Sequence, residues 1–192
     1  MSAKRQDVLD TATRLFSQFG YQAVGIDRII DEAGVSKMTM YKYFPSKNDL
    51  VVEVLQQREV DVAAGLVAFV NERQDSLARV RAVFEWHDEW IKDESFHGCM
   101  FISAASEYAA SDARILQASA DQKQHLKIFL ERLLEPLTGG DAAPGYASKL
   151  MLLIDGAIVA ARVCGNKEAA LEAWEAASEL LAKFGSDSLA GA

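Results

Sequence analysis

Cysteine and proline are scarce in this chain, with two Cys and three Pro among 192 residues. Cys99 and Cys164 alone cannot build a disulfide framework, which excludes the small, cross-linked secreted scaffolds. Three prolines and twelve glycines exclude collagenous and low-complexity chains. No apolar run approaches the roughly 18 residues that a membrane span requires. The opening residues MSAKRQDVLDTA become amphipathic at once and hold no export signal, so a reducing cytoplasm and no membrane partner are expected. Period-two alternation is missing, which argues against strands. Chemistry motifs are missing too: there is no GxSxG elbow, no glycine-rich phosphate loop and no paired-carboxylate signature, so an enzyme is disfavoured. His87, His97 and His125 share no usual ligand spacing with each other or with the cysteines, so no metal is expected. The two thiols are expected to be buried and inert.

What is present is a globular composition, half hydrophobic and a quarter charged. The net charge of −8 excludes a protein that coats a polyanion over its whole surface. The charge is uneven, however. Residues 1–50 carry seven Lys/Arg against six Asp/Glu, whereas the other 142 carry thirteen against twenty-two. Between Val35 and Asn48 there are Lys37, Lys42 and Lys47 and no acid. An acidic body with one basic patch suits contact with a polyanion at a single place.

Helical periodicity runs through the chain and predicts an all-α fold. Val8, Leu9, Ala12, Leu15, Phe16 and Phe19 mark a first helix that Gly20 stops. Ile26, Ile29 and Ile30 mark a short second one ending at Gly34. Ser36 can cap a third, which must end near Phe44 because Pro45 disfavours helix in the residue before it. Ser46 and Asp49 form a capping-box-like start for a fourth that continues to about Asn71. Further helices are expected around Leu77–Ile91, Cys99–Tyr108, Ile115–Leu137, Tyr146–Val163 and Glu168–Phe184, with TGGDAAPG, 138–145, as the clearest linker.

The informative stretch is IDRIIDEAGVSKMTMYKYFPSKNDL, 26–50. Two short helices joined by Ala33-Gly34-Val35-Ser36 have the grammar of a helix-turn-helix, in which the second helix lies in the major groove. Helical geometry turns Met40 and Phe44 inward, toward Val35, Ile29, Leu15 and Phe19, and sends Met38, Thr39 and Lys42 outward with Lys37 and Tyr41 on the flanks. A solvated helix has no use for an exposed Met beside Thr and Tyr. A groove-reading helix has: a thymine-methyl contact, hydroxyl bonds and cationic charge. Lys47 adds charge at a helix N-terminus that already favours phosphate.

On Leu15-Phe16, Phe19-Gly20-Tyr21, Ile29, Ala33-Gly34-Val35-Ser36, Thr39, Tyr41, Tyr43-Phe44, Ser46-Lys47 and Leu50, the chain resembles the DNA-binding domain of the tetracycline-repressor (TetR) family of transcription regulators. The resemblance covers about the first quarter. It implies DNA contacts from Gly25, Lys37, Met38, Thr39, Tyr41, Lys42, Tyr43 and Lys47. Gly25 stands where the family usually has Thr or Ser, so this chain lacks the hydroxyl there. The resemblance also implies a domain at 1–46 that binds DNA, a ligand-binding and dimerisation domain at 47–185 entered through a connecting helix at 46–71, and a flexible tail at 186–192. In the second domain, Phe84, His87, Trp90, Met100, Ser103, Glu107, Phe129 and Asp155 are the expected pocket residues for a small-molecule effector; no cofactor is expected. Ile154, Ile158, Trp174, Ala177 and Leu181 are the expected homodimer interface. The implied function is a homodimeric repressor released from a palindromic operator in double-stranded DNA by a small molecule. Two alternatives stand beside it: an all-α binding protein whose helix-turn-helix no longer engages DNA, and a helical enzyme.

Overall fold

The computed structural model of the protein describes residues 3–185; the tail expected at 186–192 lies outside them. The described residues are all-α, with nine helices. They are α1 (Ala3–Phe19), α2 (Ile26–Ala33), α3 (Lys37–Tyr43), α4 (Lys47–Asn71), α5 (Ser76–Lys92), α6 (Met100–Tyr108), α7 (Ala113–Thr138), α8 (Ala143–Cys164) and α9 (Ala169–Gly185).

The helix ends follow from local chemistry. Gly34 adopts φ 64° after α2, and its N–H reaches back to the Asp31 and Ile30 carbonyls. That left-handed position costs a side-chain-bearing residue energy and costs glycine nothing. The Ser36 hydroxyl accepts the Thr39 N–H at 3.1 Å and caps α3. Ser46 and Asp49 form the expected box at α4: Ser46 Oγ accepts the Asp49 N–H at 3.2 Å and donates to its carboxylate at 2.7 Å. Asp75 caps α5 by accepting the Ala78 N–H. The linker is shorter than the sequence suggests, because α8 starts at Ala143 with Pro144 in its first turn. Proline fits there since the first helical N–H groups lack intrahelical partners anyway.

The chain divides into two compact units, so far as its residues are described: Met1–Val62 with Cys99–Gln122, and Ala63–Gly98 with Lys123–Ala192. The expected boundary after residue 46 therefore falls inside the first unit, which also takes in α4 as far as Val62, all of α6 and the start of α7. The reason is apolar burial. Met100, Phe101, Ala104, Tyr108 and Ile115 share one core with Val8, Leu15, Phe16, Tyr21, Ile29, Met40, Phe44 and Leu50. Three short helices alone could not cover the rings of Phe16, Tyr21 and Phe44, and each such side chain contributes roughly 1.5–3 kcal/mol once removed from water. Tyr21 is wholly buried, and its hydroxyl donates to the Met100 carbonyl at 3.1 Å. Phe19 departs from expectation: it is exposed, with the Arg28 guanidinium 4.2 Å above its ring. One turn beyond Phe16, the helix end carries it off the core face.

In the second unit α8 packs against α9, and α5 packs on both. Phe84 of α5 meets Trp174 of α9 with ring centroids 5.6 Å apart. Lys167 donates to the Ile91 carbonyl at 2.6 Å and closes the C-terminal end of α5. Cys164, expected buried, is exposed at the end of α8, and Cys99 is half-buried. No described helix is long and apolar enough to cross a membrane.

Candidate nucleic-acid interface

Seven residues make α3, and they divide cleanly. Met40 is fully buried and Phe44, just past the helix, is too. Lys37, Met38, Tyr41 and Lys42 face solvent, Met38 with 82% of its surface exposed. Met38 thus offers an apolar group to whatever approaches this face. Thr39 is half-buried because it belongs to the cap: its hydroxyl lies 2.9 Å from that of Ser36. Tyr43 is half-buried, edge-on to Phe44 at 6.4 Å, with the Lys42 ammonium above its ring. Gly25 caps α2 without a side-chain hydrogen bond, and open space surrounds the place its Cβ would take.

The cations of the first unit are in different states. Arg14 and Arg28 both bond Glu32, at 2.6 and 2.8 Å, and hold its carboxyl below the usual range. Arg5 is paired with Glu53. Lys37 lies 3.2 Å from Asp27, which raises its pKa. Lys47 differs. It is the first residue of α4 and half-buried; partial burial lowers its pKa, opposed by the nearby Glu107 carboxylate, and it makes no ion pair among the described residues. A partly desolvated ammonium beside free helix N–H groups is a ready place for a phosphate oxygen.

Two networks hold this face. Glu107 of α6 accepts the Tyr21 N–H at 3.1 Å with one carboxylate oxygen and the Gln22 N–H at 2.7 Å with the other. The Gln22 amide returns to the Glu107 carbonyl at 3.4 Å. Gly20, at φ 82°, permits this approach, since a Cβ there would lie 3.1 Å from the carboxylate. At the start of α4, Asn48 donates to Asp112 at 3.0 Å, and Arg114 bonds both Asp112 and Asp49. The guanidinium holds the Asp112 carboxyl well below the usual carboxylate range. The first unit thus presents a short exposed helix carrying Lys37 and Lys42, with one clasp at the turn after α1 and another at the start of α4.

Residues 8–54 match the family model for bacterial regulatory proteins of the tetR family. The chain is similar to a TetR-family transcriptional regulator from Streptomyces coelicolor, with 30% identity, a TM-score of 0.85, and coverage of 93% of this chain and 95% of that one. The chain belongs to the TetR family of transcriptional regulators. It is also 35% identical over 92 residues to the HTH-type transcriptional activator FasR of Mycolicibacterium smegmatis. With the HTH-type transcriptional regulator RutR of Escherichia coli it shares 44% identity over 57 residues. Those two matches span 42% and 27% of the relatives' own lengths. Members of the TetR family are regulators, not enzymes.

The TetR assignment leaves the second set of expected residues to be placed, and the structure distributes them differently. Met100, Ser103 and Glu107 lie in the first unit, Phe84, His87, Trp90, Phe129 and Asp155 in the second. Met100 is core and its carbonyl takes the Tyr21 hydroxyl; Glu107 is occupied by backbone N–H groups. In the second unit Phe84 is fully buried against Trp174. His87 is buried, donates from Nδ1 to the Val83 carbonyl at 2.7 Å, and stands edge-on to Trp86 at 5.0 Å. Burial pushes its pKa down to about 4, so it is neutral at pH 7. The Lys123–Asp155 ion pair acts on His87 electrostatically, lowering its pKa through Lys123 and raising it through Asp155. Lys123, which sequence reading passed over, thus joins His87 and Asp155, one residue from each of three helices.

The residues expected at a dimer interface are largely enclosed within a single chain. Ile154, Ile158, Ala177 and Leu181 are 0–4% exposed in a single chain, and half-buried Trp174 leans on Phe84. Their stripes face the chain's own core. The opposite side of α8 carries Leu152, Gly156, Val159 and Val163, with Leu152 and Val163 about three-quarters exposed. Leu180 of α9 is also exposed.

Proposed function

We propose that this protein is a homodimeric, effector-responsive repressor that reads a palindromic operator in duplex DNA through α3. The observation that carries the reading is Lys47: a half-buried cation at a helix N-terminus that makes no ion pair among the described residues, beside an exposed face of Lys37, Met38, Tyr41 and Lys42. Tyr41 and Lys47 take backbone phosphates, whereas Lys37, Met38 and Lys42 face base edges, with Thr39 near its cap. Tyr43 and the N-terminus of α2 at Gly25 flank the phosphate track.

One such helix makes few contacts, and a two-fold dimer doubles them over successive major grooves. Leu152, Gly156, Val159 and Val163 recur at i, i+4, i+7 and i+11 along one side of α8, and this apolar stripe is the face a second copy covers. A stable interface of this kind buries roughly 2,000 Å² or more. The effector meets the second unit, where aromatic Trp86 and Trp90 surround His87 near Lys123 and Asp155. A ligand that prefers the state of low operator affinity shifts the population toward it, in proportion to its differential affinity.

The test is selection of duplexes from a random pool, followed by transcription in vitro from a promoter carrying the selected sequence. The expected result is an inverted repeat and reduced transcript on addition of protein, relieved by compounds that raise the protein's melting temperature. Failure to enrich any duplex would support a binding protein whose helix-turn-helix is silent. A transcript that increases would make it an activator.

A further inference from the structure

The DNA face contains a carboxylate of its own. Asp27 is the second residue of α2 and Lys37 the first of α3, so their 3.2 Å contact bridges the N-terminal ends of both helices of the helix-turn-helix. Both side chains are well exposed, 82% and 66%. An exposed pair of this kind contributes little to stability. What it changes is charge: of Lys37, Lys42 and Lys47, Lys37 is the one in an ion pair among the described residues.

We infer that Asp27 limits the affinity of this protein for duplex DNA, by neutralising Lys37 and by carrying a negative charge onto the surface that phosphates approach. This inference rests on the DNA-face reading above. A lysine that neutralises a phosphate releases about 0.9 condensed cation from B-DNA, and that release drives binding. A lysine already neutralised by a carboxylate releases none, and the displaced carboxylate repels the strand. Although the Lys37 side chain faces base edges in that reading, the limit acts through the net charge of the DNA face, which every duplex meets alike, so it is the same for every sequence. Its consequence is a protein that leaves non-cognate DNA quickly.

The test compares wild type, Asp27→Asn, Asp27→Ser, Asp27→Asn/Lys37→Ala and Lys47→Ala, each checked for helicity and melting temperature. Binding is measured by fluorescence anisotropy across a salt series on two probes: a duplex of arbitrary sequence and one selected from a random pool by the wild-type protein. Both single Asp27 variants should bind each probe more tightly, by roughly tenfold near 0.1 M salt, with a salt slope steeper by about one. The double variant should return to the wild-type slope, and Lys47→Ala should fall below it. Unchanged binding by the Asp27 variants while Lys47→Ala loses slope would overturn the inference and leave the DNA face intact. Weaker binding to the selected probe alone would make Asp27 a base reader and equally overturn it. Tighter binding that persists in the double variant would show that Lys37 is not involved. If Lys47→Ala also leaves the slope unchanged, the DNA-face reading itself fails and the inference falls with it.

Discussion

Replacing Glu107 with alanine should loosen the turn after α1 more than its position on α6 suggests. The carboxylate takes two backbone N–H groups, of Tyr21 at 3.1 Å and of Gln22 at 2.7 Å. A hydrogen bond to a charged group contributes about 1.5–3 kcal/mol where solvent cannot replace it. The Tyr21 bond is partly buried and keeps most of that; the Gln22 bond is exposed, and water will substitute for much of it. The expected loss is therefore about 2–3 kcal/mol. Glu107→Gln should fall between, because an amide offers one acceptor oxygen and turns a competing N–H toward the other donor. The loss is read as a drop in the urea midpoint without change in slope, and locally as faster hydrogen exchange at the Tyr21 and Gln22 amides. A Glu107→Ala protein within 0.5 kcal/mol of wild type, with both amides still protected, would refute the reasoning, since single surface changes routinely stay within about that range. Such a result would return Glu107 to the candidates for the effector.

Stability should also depend on pH through His87. Its folded pKa of about 4 lies below the ordinary 6.5, so the unfolded chain binds the proton first as pH falls. Stability is full above 6.5, declines toward 4, and is lost by about 3 kcal/mol in all; a His87→Gln variant should show a flatter profile in calorimetry between those limits. Asp112 adds an acid-side loss in the same direction, because its depressed pKa means that the Arg114 brace survives until pH falls well below the ordinary carboxylate value. Val159→Glu should fold and sediment as a monomer, since the exposed charge is repeated across the two-fold axis, whereas Ile158→Glu should fail to fold because that side chain is 4% exposed. A Val159→Glu protein that remains dimeric would place the interface elsewhere. Met38→Ala should change the sequence selected from a random pool at one symmetry-related pair of positions, with a cost of about 1–3 kcal/mol if a base contact is lost; an unchanged consensus would remove Met38 from base readout.

Local chemistry was legible in the residues themselves. Gly34 ends α2, Ser36 caps α3, Ser46 with Asp49 opens α4, and Pro45 separates the two, because caps and turns depend on neighbours within four residues. The same locality makes the outward set on α3 readable, since a seven-residue helix with Met40 and Phe44 inside has one other face. Sequence periodicity also marked Ile154 and Ile158 of α8 and Trp174, Ala177 and Leu181 of α9 but could not say what they faced. Ile158 and Val159 are adjacent and equally apolar, and only packing against α5 and α9 decides that one is core and the other surface. Glu107 and Arg114 were opaque for the same reason. Their partners, Tyr21 and Gln22 for one and Asp49 for the other, lie 65 to 86 residues away. No periodicity encodes a bond of that separation. It exists because the rings of Phe16, Tyr21 and Phe44 need more apolar cover than three short helices offer, and α6 and α7 supply it.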